Sequence, residues 1–183
     1  MSLENLKNEC MSCAKCGLCE TRTNVVFGTG DENADIMFIG EGPGKNEDLQ
    51  GIPFVGQAGQ LLDTYLTAVG LKRSDVYIAN IVKCRPPQNR DPLPAEQETC
   101  IEWLESQIEL ISPKIIVCLG RIAAKRLISE DFKVTADHGR IYDIGGMKIM
   151  GTFHPAALLR NPASKIPTFE DFKKLAEFIK ENG

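Results

Sequence analysis

Long apolar runs are missing from this chain of 183 residues, and so is any excess of positive charge. No apolar run approaches the roughly 20 residues that a membrane-spanning helix needs, so we expect no membrane partner. Residues 1–5 lack the basic start of a signal peptide, and no apolar core follows them, which favours a cytoplasmic protein. The net charge of −4 is unlike that of a protein that coats DNA, but an enzyme needs only a local positive groove.

Other familiar signals are absent as well. The chain has no internal repeat and no low-complexity tract, and its length suits one domain covering residues 1–183. It has neither the Walker lysine spacing nor a GxGxxG motif, which argues against nucleoside triphosphate chemistry. Histidine is scarce, with two residues in the whole chain, so a histidine in a loop at a strand end is a candidate for chemistry.

Short apolar segments alternate with segments of helical periodicity, which is typical of an α/β protein. The predicted strands are 35–39, 76–79, 114–119 and 148–152, and the main predicted helices are 57–69, 94–111 and 168–180. Such alternation predicts a short, mostly parallel sheet of four strands that is covered on both faces. Ligands bind beyond the carboxyl ends of such strands, where 40–48, Asn80 and 153–162 follow.

Seven cysteines are unusual in a chain expected in the cytoplasm, where they serve as ligands more often than as disulfides. Four evenly spaced cysteines lie in the Cys-rich N-terminal lead, residues 1–34: Cys10, Cys13, Cys16 and Cys19. Cys13 and Cys16 have a spacing that lets two thiolates bind one metal centre, and the pairs Cys10/Cys13 and Cys16/Cys19 have it too.

The dispersed cysteines divide into two kinds. Cys84 and Cys100 can complete a four-thiolate site, which would suit Zn²⁺ or a [4Fe–4S] cluster equally well by spacing alone. Cys118 lies within an apolar strand, and we expect it to be an ordinary buried residue.

An acidic loop follows the first strand, where Gly40–Gly44 permits close approach of the backbone to a ligand. Glu41, Glu47 and Asp48 can accept hydrogen bonds from a base edge or position a water molecule. An equally good interpretation puts Glu47 and Asp48 in the first turn of a solvated helix, where the helix dipole favours acids.

Three further side chains are candidates for recognising a polar ring. Asn80 offers a donor and an acceptor, although it can also cap a loop. Phe54 can stack on a base or belong to the core. His154 follows the fourth strand and can donate a hydrogen bond to a carbonyl that gains negative charge. His138 is interpreted as a turn residue.

Two leucines beside an arginine follow His154 in a segment that we expect to be an exposed loop. Leu158, Leu159 and Arg160 would form an apolar wedge next to a cation, which suits a protein that pries DNA bases apart. The alternative is that the two leucines begin a helix and face inward.

Taken together, these segments are similar to family 4 of the uracil-DNA glycosylases, the bacterial and archaeal iron–sulfur type. The segments that carry the resemblance are 22–23, 25–28, Gly40–Gly44, Gly51–Gly59, Asn80–Pro87 and His154–Pro162. They span about residues 10 to 162 in the family's order. The resemblance implies an α/β/α sandwich and an enzyme that hydrolyses uracil from single- or double-stranded DNA. We expect the protein to be a monomer without a membrane partner.

The resemblance also implies roles for individual residues. A [4Fe–4S] cluster would be held by Cys13, Cys16, Cys84 and Cys100. The uracil pocket would be formed by Gly42, Glu47, Phe54 and Asn80. His154 would polarise the uracil carbonyl, and Glu41 would support the sugar cation or orient water. Better-known uracil glycosylases have an aspartate where this chain has Gly42. The loop 85–94 contains no histidine, so we do not expect covalent capture of DNA.

Three other functions compete with this interpretation. An iron–sulfur electron carrier would explain the cysteines but leave Glu41, Asn80 and His154 without a role. A DNA-binding module without chemistry would bind uracil DNA and release no base. A related glycosylase could act on another deaminated base, such as hypoxanthine or xanthine.

Overall fold

The structure is a computed structural model that describes residues 1–183. The strands are β1 (Thr29–Gly30), β2 (Ile36–Gly40), β3 (Tyr77–Asn80), β4 (Ile115–Leu119), β5 (Ile141–Ile144) and β6 (Met147–Thr152). The helices are α1 (Leu3–Cys10), α2 (Lys45–Gln50), α3 (Gln57–Ala68), α4 (Pro94–Ile111), α5 (Arg121–Leu127), α6 (Val134–Asp137), α7 (Pro155–Arg160) and α8 (Lys165–Asn182). No helix is long and apolar enough to cross a membrane.

One sheet organises the molecule, in the order β1-β3-β2-β4-β6-β5. The four central strands β3, β2, β4 and β6 are parallel, and β1 and β5 pair antiparallel at the two edges. The predicted count of four strands is therefore wrong, because the sheet has six. Both edge strands are short, and the four predicted strands are the parallel core.

The central strands are buried on both faces, because each sends alternate side chains into two separate cores. In β2, for example, Met37 and Ile39 belong to one core, while Ile36 and Phe38 belong to the other. Side chains of α1, α4 and α5 complete the first core, and side chains of α3, α7 and α8 complete the second. The predicted α/β fold with three layers is thus confirmed.

The predicted helices agree closely with the observed ones. Helix α4 has the predicted bounds, and α3 ends one residue earlier than expected. Helix α8 begins three residues earlier, at Lys165. The early start includes Pro167 in the first turn, where a missing backbone N–H breaks no helical hydrogen bond.

Candidate active site and cysteine-lined cavity

A cavity of about 710 Å³ opens where the parallel strands end. Its walls come from the segments that follow β2, β3, β4 and β6, together with the loop before α4. It is lined by six of the residues predicted to bind substrate or carry chemistry: Glu41, Gly42, Glu47, Phe54, Asn80 and His154. Arg160 also lines it.

Phe54 and His154 form one side of this cavity, with ring centroids 5.4 Å apart and planes 29° apart. Phe54 is buried and has a φ of 54°, a left-handed conformation that is uncommon for a bulky residue. Arg73 holds this segment by donating to the carbonyl oxygen of Phe54 at 2.6 Å and to that of Pro53. Arg73 was not predicted, because nothing in the sequence marks a long-range bond to two carbonyls.

Asn80 ends β3 in a buried position, with 2% of its surface exposed. Its side-chain oxygen Oδ1 is one of two buried side-chain polar atoms that have no hydrogen-bond partner. An unpaired buried acceptor costs about 1–3 kcal/mol of stability, so such a group is expected to have a partner in the working protein. A capping role for Asn80 would require a backbone N–H that donates to Oδ1, and no such donor is present.

His154 is fixed in one tautomer by the start of α7. Its Nδ1 accepts a hydrogen bond from the backbone N–H of Ala156 at 3.0 Å, so the ring proton of the neutral form is on Nε2. Desolvation by the surrounding protein, with a contribution from the positive charge of Arg160, lowers the pKa of His154 to about 4. At neutral pH the imidazole is therefore uncharged and has one N–H to donate.

Glu41 lies in a group of charges that the sequence did not reveal. Burial raises the pKa of its carboxyl to about 7, and the negative charge and hydrogen bond of Asp91 add to this effect. Asp91 is itself bound by Arg121, with 2.6 Å between Arg121 Nη2 and Asp91 Oδ2, and this bond lowers the pKa of Asp91. Asp91 and Arg121 also line the cavity.

The acidic residues after Glu41 separate into two environments. Glu47 lines the cavity, but Asp48 is buried outside it. Asp48 accepts hydrogen bonds from the backbone N–H groups of Thr23 and Asn24, at 2.8 and 3.2 Å. Both acids lie in α2, so the helical interpretation of this segment is correct. The helix is not simply solvated at these positions, because Glu47 lines the cavity and Asp48 is buried.

The predicted apolar wedge needs a correction. The segment is helix α7 rather than a loop, and Leu158 faces the core with none of its surface exposed. Leu159 is 42% exposed and Arg160 is exposed beside it. The helical period explains the difference, because neighbouring residues on a helix point in different directions. Leu158 is therefore not available as a wedge in this structure.

A second, smaller cavity is lined by five cysteines: Cys13, Cys16, Cys19, Cys84 and Cys100. All seven cysteines of the chain are free thiols. Cys10 is buried and does not line the cavity. Cys118 is fully buried in β4, as expected.

Two hydrogen bonds already reach thiols of this second cavity. The backbone N–H of Lys83 donates to Cys100 Sγ at 3.3 Å, and Arg22 Nη1 donates to Cys84 Sγ at 3.5 Å. Donors of this kind surround thiolates that carry negative charge. No group of three or more His, Cys, Asp or Glu side chains is placed to hold a single metal ion.

The fold and the first cavity define an α/β protein with a pocket at the carboxyl ends of its parallel strands. The chain belongs to the uracil DNA glycosylase superfamily, whose family model matches residues 27–180. It is 46% identical to the type-4 uracil-DNA glycosylase of Archaeoglobus fulgidus, in an alignment that covers 96% of this chain and 92% of the relative. It is 44% identical to the type-4 uracil-DNA glycosylase of Thermotoga maritima, over 99% of this chain and 96% of the relative. The resemblance to the type-4 family is thus confirmed.

Proposed function

We propose that the protein removes uracil from DNA by hydrolysing the N-glycosidic bond, which leaves an abasic site for base-excision repair. The observation that carries this proposal is the buried, unpaired Oδ1 of Asn80 in a cavity that also contains Phe54 and His154. The relatives described above are type-4 uracil-DNA glycosylases, which supports the same activity.

The cavity suits a base that has been flipped out of the DNA stack. Phe54 would stack on the uracil ring, and Gly42 and Glu47 would form neighbouring walls. Asn80 would accept a hydrogen bond from the N3–H group of uracil through Oδ1 and donate its amide N–H to the O4 carbonyl. Uracil would thus supply the partner that Asn80 Oδ1 lacks.

His154 would act on the leaving group. As the glycosidic bond breaks, its electron pair moves to the uracil ring, and negative charge develops on the carbonyl oxygens. The neutral imidazole would donate its Nε2–H to one of these oxygens, an interaction that strengthens as the charge grows. A low pKa suits this role, since the ring donates without first being protonated.

Glu41 would act on the sugar side. In its ionised form the carboxylate would stabilise the positive charge on the deoxyribose ring or orient the attacking water. The water oxygen bonds to the anomeric carbon, and the water's proton is released as uracil leaves. Arg160, which lines the cavity, and the exposed Leu159 beside it would contact the DNA strand from which the base is flipped.

The cysteine-lined cavity fits a [4Fe–4S] cluster, because soft thiolates are the ligands that such clusters require. We assign Cys13, Cys16, Cys84 and Cys100 as the ligands. Cys19 also lines the cavity and is the alternative for the N-terminal pair. When bound, the cluster would supply structural cross-linking rather than redox chemistry, joining the N-terminal lead to the segments around Cys84 and Cys100.

The proposal extends to the working form of the protein. Both single- and double-stranded uracil DNA would be substrates, and the chain would act as a monomer. Seven free cysteines suit the reducing interior of a cell, so we expect it to act in the cytoplasm. Size-exclusion chromatography combined with light scattering, with and without DNA, would test the monomer.

Base release from synthetic oligonucleotides tests the activity. The purified protein would be incubated with single- and double-stranded DNA that contains one uracil, and abasic sites would be cleaved with alkali. We expect uracil-dependent cleavage, with thymine DNA intact. His154→Ala should reduce the rate by roughly 10²–10³, which is typical for loss of a donor to a developing oxyanion. Asn80→Ala should reduce it strongly as well.

Asn182→Ala, at the end of α8, is the matched control and should retain full activity. Full activity in His154→Ala or Asn80→Ala would refute the pocket assignment. Release of hypoxanthine or xanthine in preference to uracil would change the substrate. Binding of uracil DNA without an abasic product would indicate a binding module, and no activity with a readily cycled cluster would favour an electron carrier.

A further inference from the structure

Trp103 is the single tryptophan of the chain, and it contains the second of the two buried polar atoms without a partner. Its indole Nε1 is buried and donates to no acceptor, and the residue as a whole is 8% exposed. A buried N–H without an acceptor destabilises the folded protein, so an acceptor is expected in the working protein. The other such atom, Asn80 Oδ1, lies in the pocket where a ligand would complete it.

Trp103 lies beside the cysteines, which are the candidate source of the missing acceptor. Trp103 lines the same cavity as the cysteines, and it lies three residues after Cys100 in α4, on the same side of the helix. Lys15, from the segment between Cys13 and Cys16, lies over the indole ring, with Nζ 4.7 Å from the ring centroid. Lys15 also pairs with Glu102, which helps to hold it there.

The chemistry of the cavity favours sulfur as this acceptor. Its walls already direct two N–H donors to thiols, from the backbone of Lys83 to Cys100 and from Arg22 to Cys84. The sulfur atoms of an iron–sulfur cluster and of its thiolate ligands carry negative charge, and hydrogen bonds to them adjust the reduction potential and stability of the cluster. A third donor in the same cavity would extend this set.

We propose that the indole N–H of Trp103 donates a hydrogen bond to a sulfur atom of the cluster or its ligands. The proposal rests on the cluster assigned under the proposed function. Trp103 would then be a positioning residue for the cluster. It would slow the loss of iron and make the reduction potential less negative, because a positive N–H dipole stabilises the added electron.

A single tryptophan allows a site-specific label. The iron-loaded protein would be produced with ¹⁵N-indole tryptophan, reduced chemically, and studied by pulsed electron paramagnetic resonance. We expect a hyperfine coupling between the cluster and the labelled nitrogen, together with an exchangeable proton that is lost in Trp103→Phe. A water molecule in place of the indole would give the exchangeable proton without the ¹⁵N coupling, and that result would overturn the proposal.

Iron release to a chelator provides a second measurement. Trp103→Phe keeps a ring but removes the donor, and it should lose iron about fivefold faster than the unaltered protein, with a more negative reduction potential. Lys15→Met is the matched control, since it removes the cation above the ring and keeps the indole. It should retain the ¹⁵N coupling.

The two levels of the proposal can be distinguished. Protein that contains iron and sulfide but shows no ¹⁵N coupling, and in which Trp103→Phe releases iron at the unaltered rate, would overturn the role of Trp103 alone. Protein that takes up no iron and sulfide under anaerobic reconstitution would overturn the cluster itself, and the role of Trp103 with it. Neither result would bear on base release, which the oligonucleotide assay measures separately.

Discussion

Gly40 lacks a side chain where its backbone packs closely against Asn80 and Phe54. A Cβ atom there would lie 2.6 Å from Asn80 Oδ1 and 2.7 Å from Phe54 Cζ, which is closer than real contacts allow. Gly40→Ala must therefore displace the Asn80 amide or the Phe54 ring, which we propose to contact uracil. Because small displacements of a positioning residue have large effects on rate, we expect base release to fall at least about tenfold.

The control for Gly40→Ala is Gly17→Ala, because a Cβ at Gly17 would meet nothing within 4 Å. Both variants would be compared by circular dichroism and by the rate of uracil release under single-turnover conditions. Unchanged release in a folded Gly40→Ala variant would show that the crowding around Asn80 and Phe54 is not important for catalysis.

Asp91 helps to set the pKa of Glu41, because its negative charge and hydrogen bond favour the protonated form of the Glu41 carboxyl. The pKa of Glu41 is raised to about 7 and that of His154 lowered to about 4, so the acid limb of the pH–rate profile should come from ionisation of Glu41. Asp91→Asn removes a negative charge from Glu41, which lowers the pKa of Glu41 and moves this limb to lower pH. Burial, the larger cause, remains, so the shift should be partial.

Other charged groups face Glu41 and act in the opposite direction, since Arg121 and Arg160 both lower its pKa. Asp91→Asn also frees Arg121, which should add to the shift towards lower pH. Asp143→Asn removes an equal charge in the β5–β6 hairpin and is the control. An acid limb that stays in place in Asp91→Asn would mean that Glu41 ionisation does not set the rate.

Side chains that act alone were easier to predict than side chains that act in pairs. Asn80 and His154 lie at the carboxyl ends of β3 and β6. Because a parallel sheet brings these ends to the same edge, the sequence allows the prediction that both side chains line one site. Asp91 and Arg121 lie 30 residues apart on a loop and a helix, and no pattern links them. For Leu158 the sequence allows both an exposed loop and a helix that faces inward, and the structure has the helix.

At the scale of elements, a buried lysine connects β3 with α4. Lys83 Nζ donates to the carbonyl oxygen of Asn80 at 3.0 Å and to Gln107 Oε1 at 2.6 Å. Gln107 in turn donates to the carbonyl oxygen of Phe27 at 2.8 Å. This polar network ties the end of the strand that bears Asn80 to the helix that bears Cys100.

Breaking this network on one side should be worse than removing it. Gln107→Leu leaves the Lys83 ammonium short of a partner, and Lys83→Met leaves two buried acceptors unpaired, so each should lose roughly 3 kcal/mol of stability. The double variant replaces both partners by apolar groups and should lose clearly less than the sum. Urea unfolding of all four proteins measures this, and additive losses would contradict the coupling.

The strands that were not predicted are the ones with the least buried surface. Strand β1 has two residues, which is too short for any periodicity, and β5 is largely exposed. The hairpin that joins β5 to β6 turns at Gly145 and Gly146, which have φ values of 59° and 88°. A Gly-Gly pair is a recognised signal for a two-residue hairpin turn, so β5 was predictable from this turn even though its own pattern is weak.

At the scale of the whole molecule, the distribution of charge matters more than its sum. The net charge is −4, yet the main cavity is lined by Arg90, Arg121, Lys125, Lys133 and Arg160. Arg90 and Arg121 are paired with carboxylates, whereas Lys125, Lys133 and Arg160, which we name the rim cations, take part in no ion pair. A phosphate backbone at the cavity would therefore meet three cations whose charge no carboxylate neutralises.

This distribution predicts how binding responds to salt. Each cation that neutralises a phosphate adds roughly 0.7 to 0.9 to the slope of log affinity against log salt concentration, because counterions are released. Lys125→Ala and Lys133→Ala should each weaken binding of thymine-containing DNA and reduce that slope by about one contact. Fluorescence anisotropy at several salt concentrations, with single strands and duplexes, measures both quantities.

Lys180→Ala is the control, since it removes an equal charge from the last turn of α8, outside the cavity. It should leave the slope unchanged, because a surface charge more than a Debye length of about 10 Å from the DNA is screened. An equal reduction in Lys180→Ala would mean that the overall charge of the protein governs binding. A reduction confined to Lys125→Ala and Lys133→Ala would mean that the local charge at the cavity, rather than the net charge of the protein, governs DNA binding.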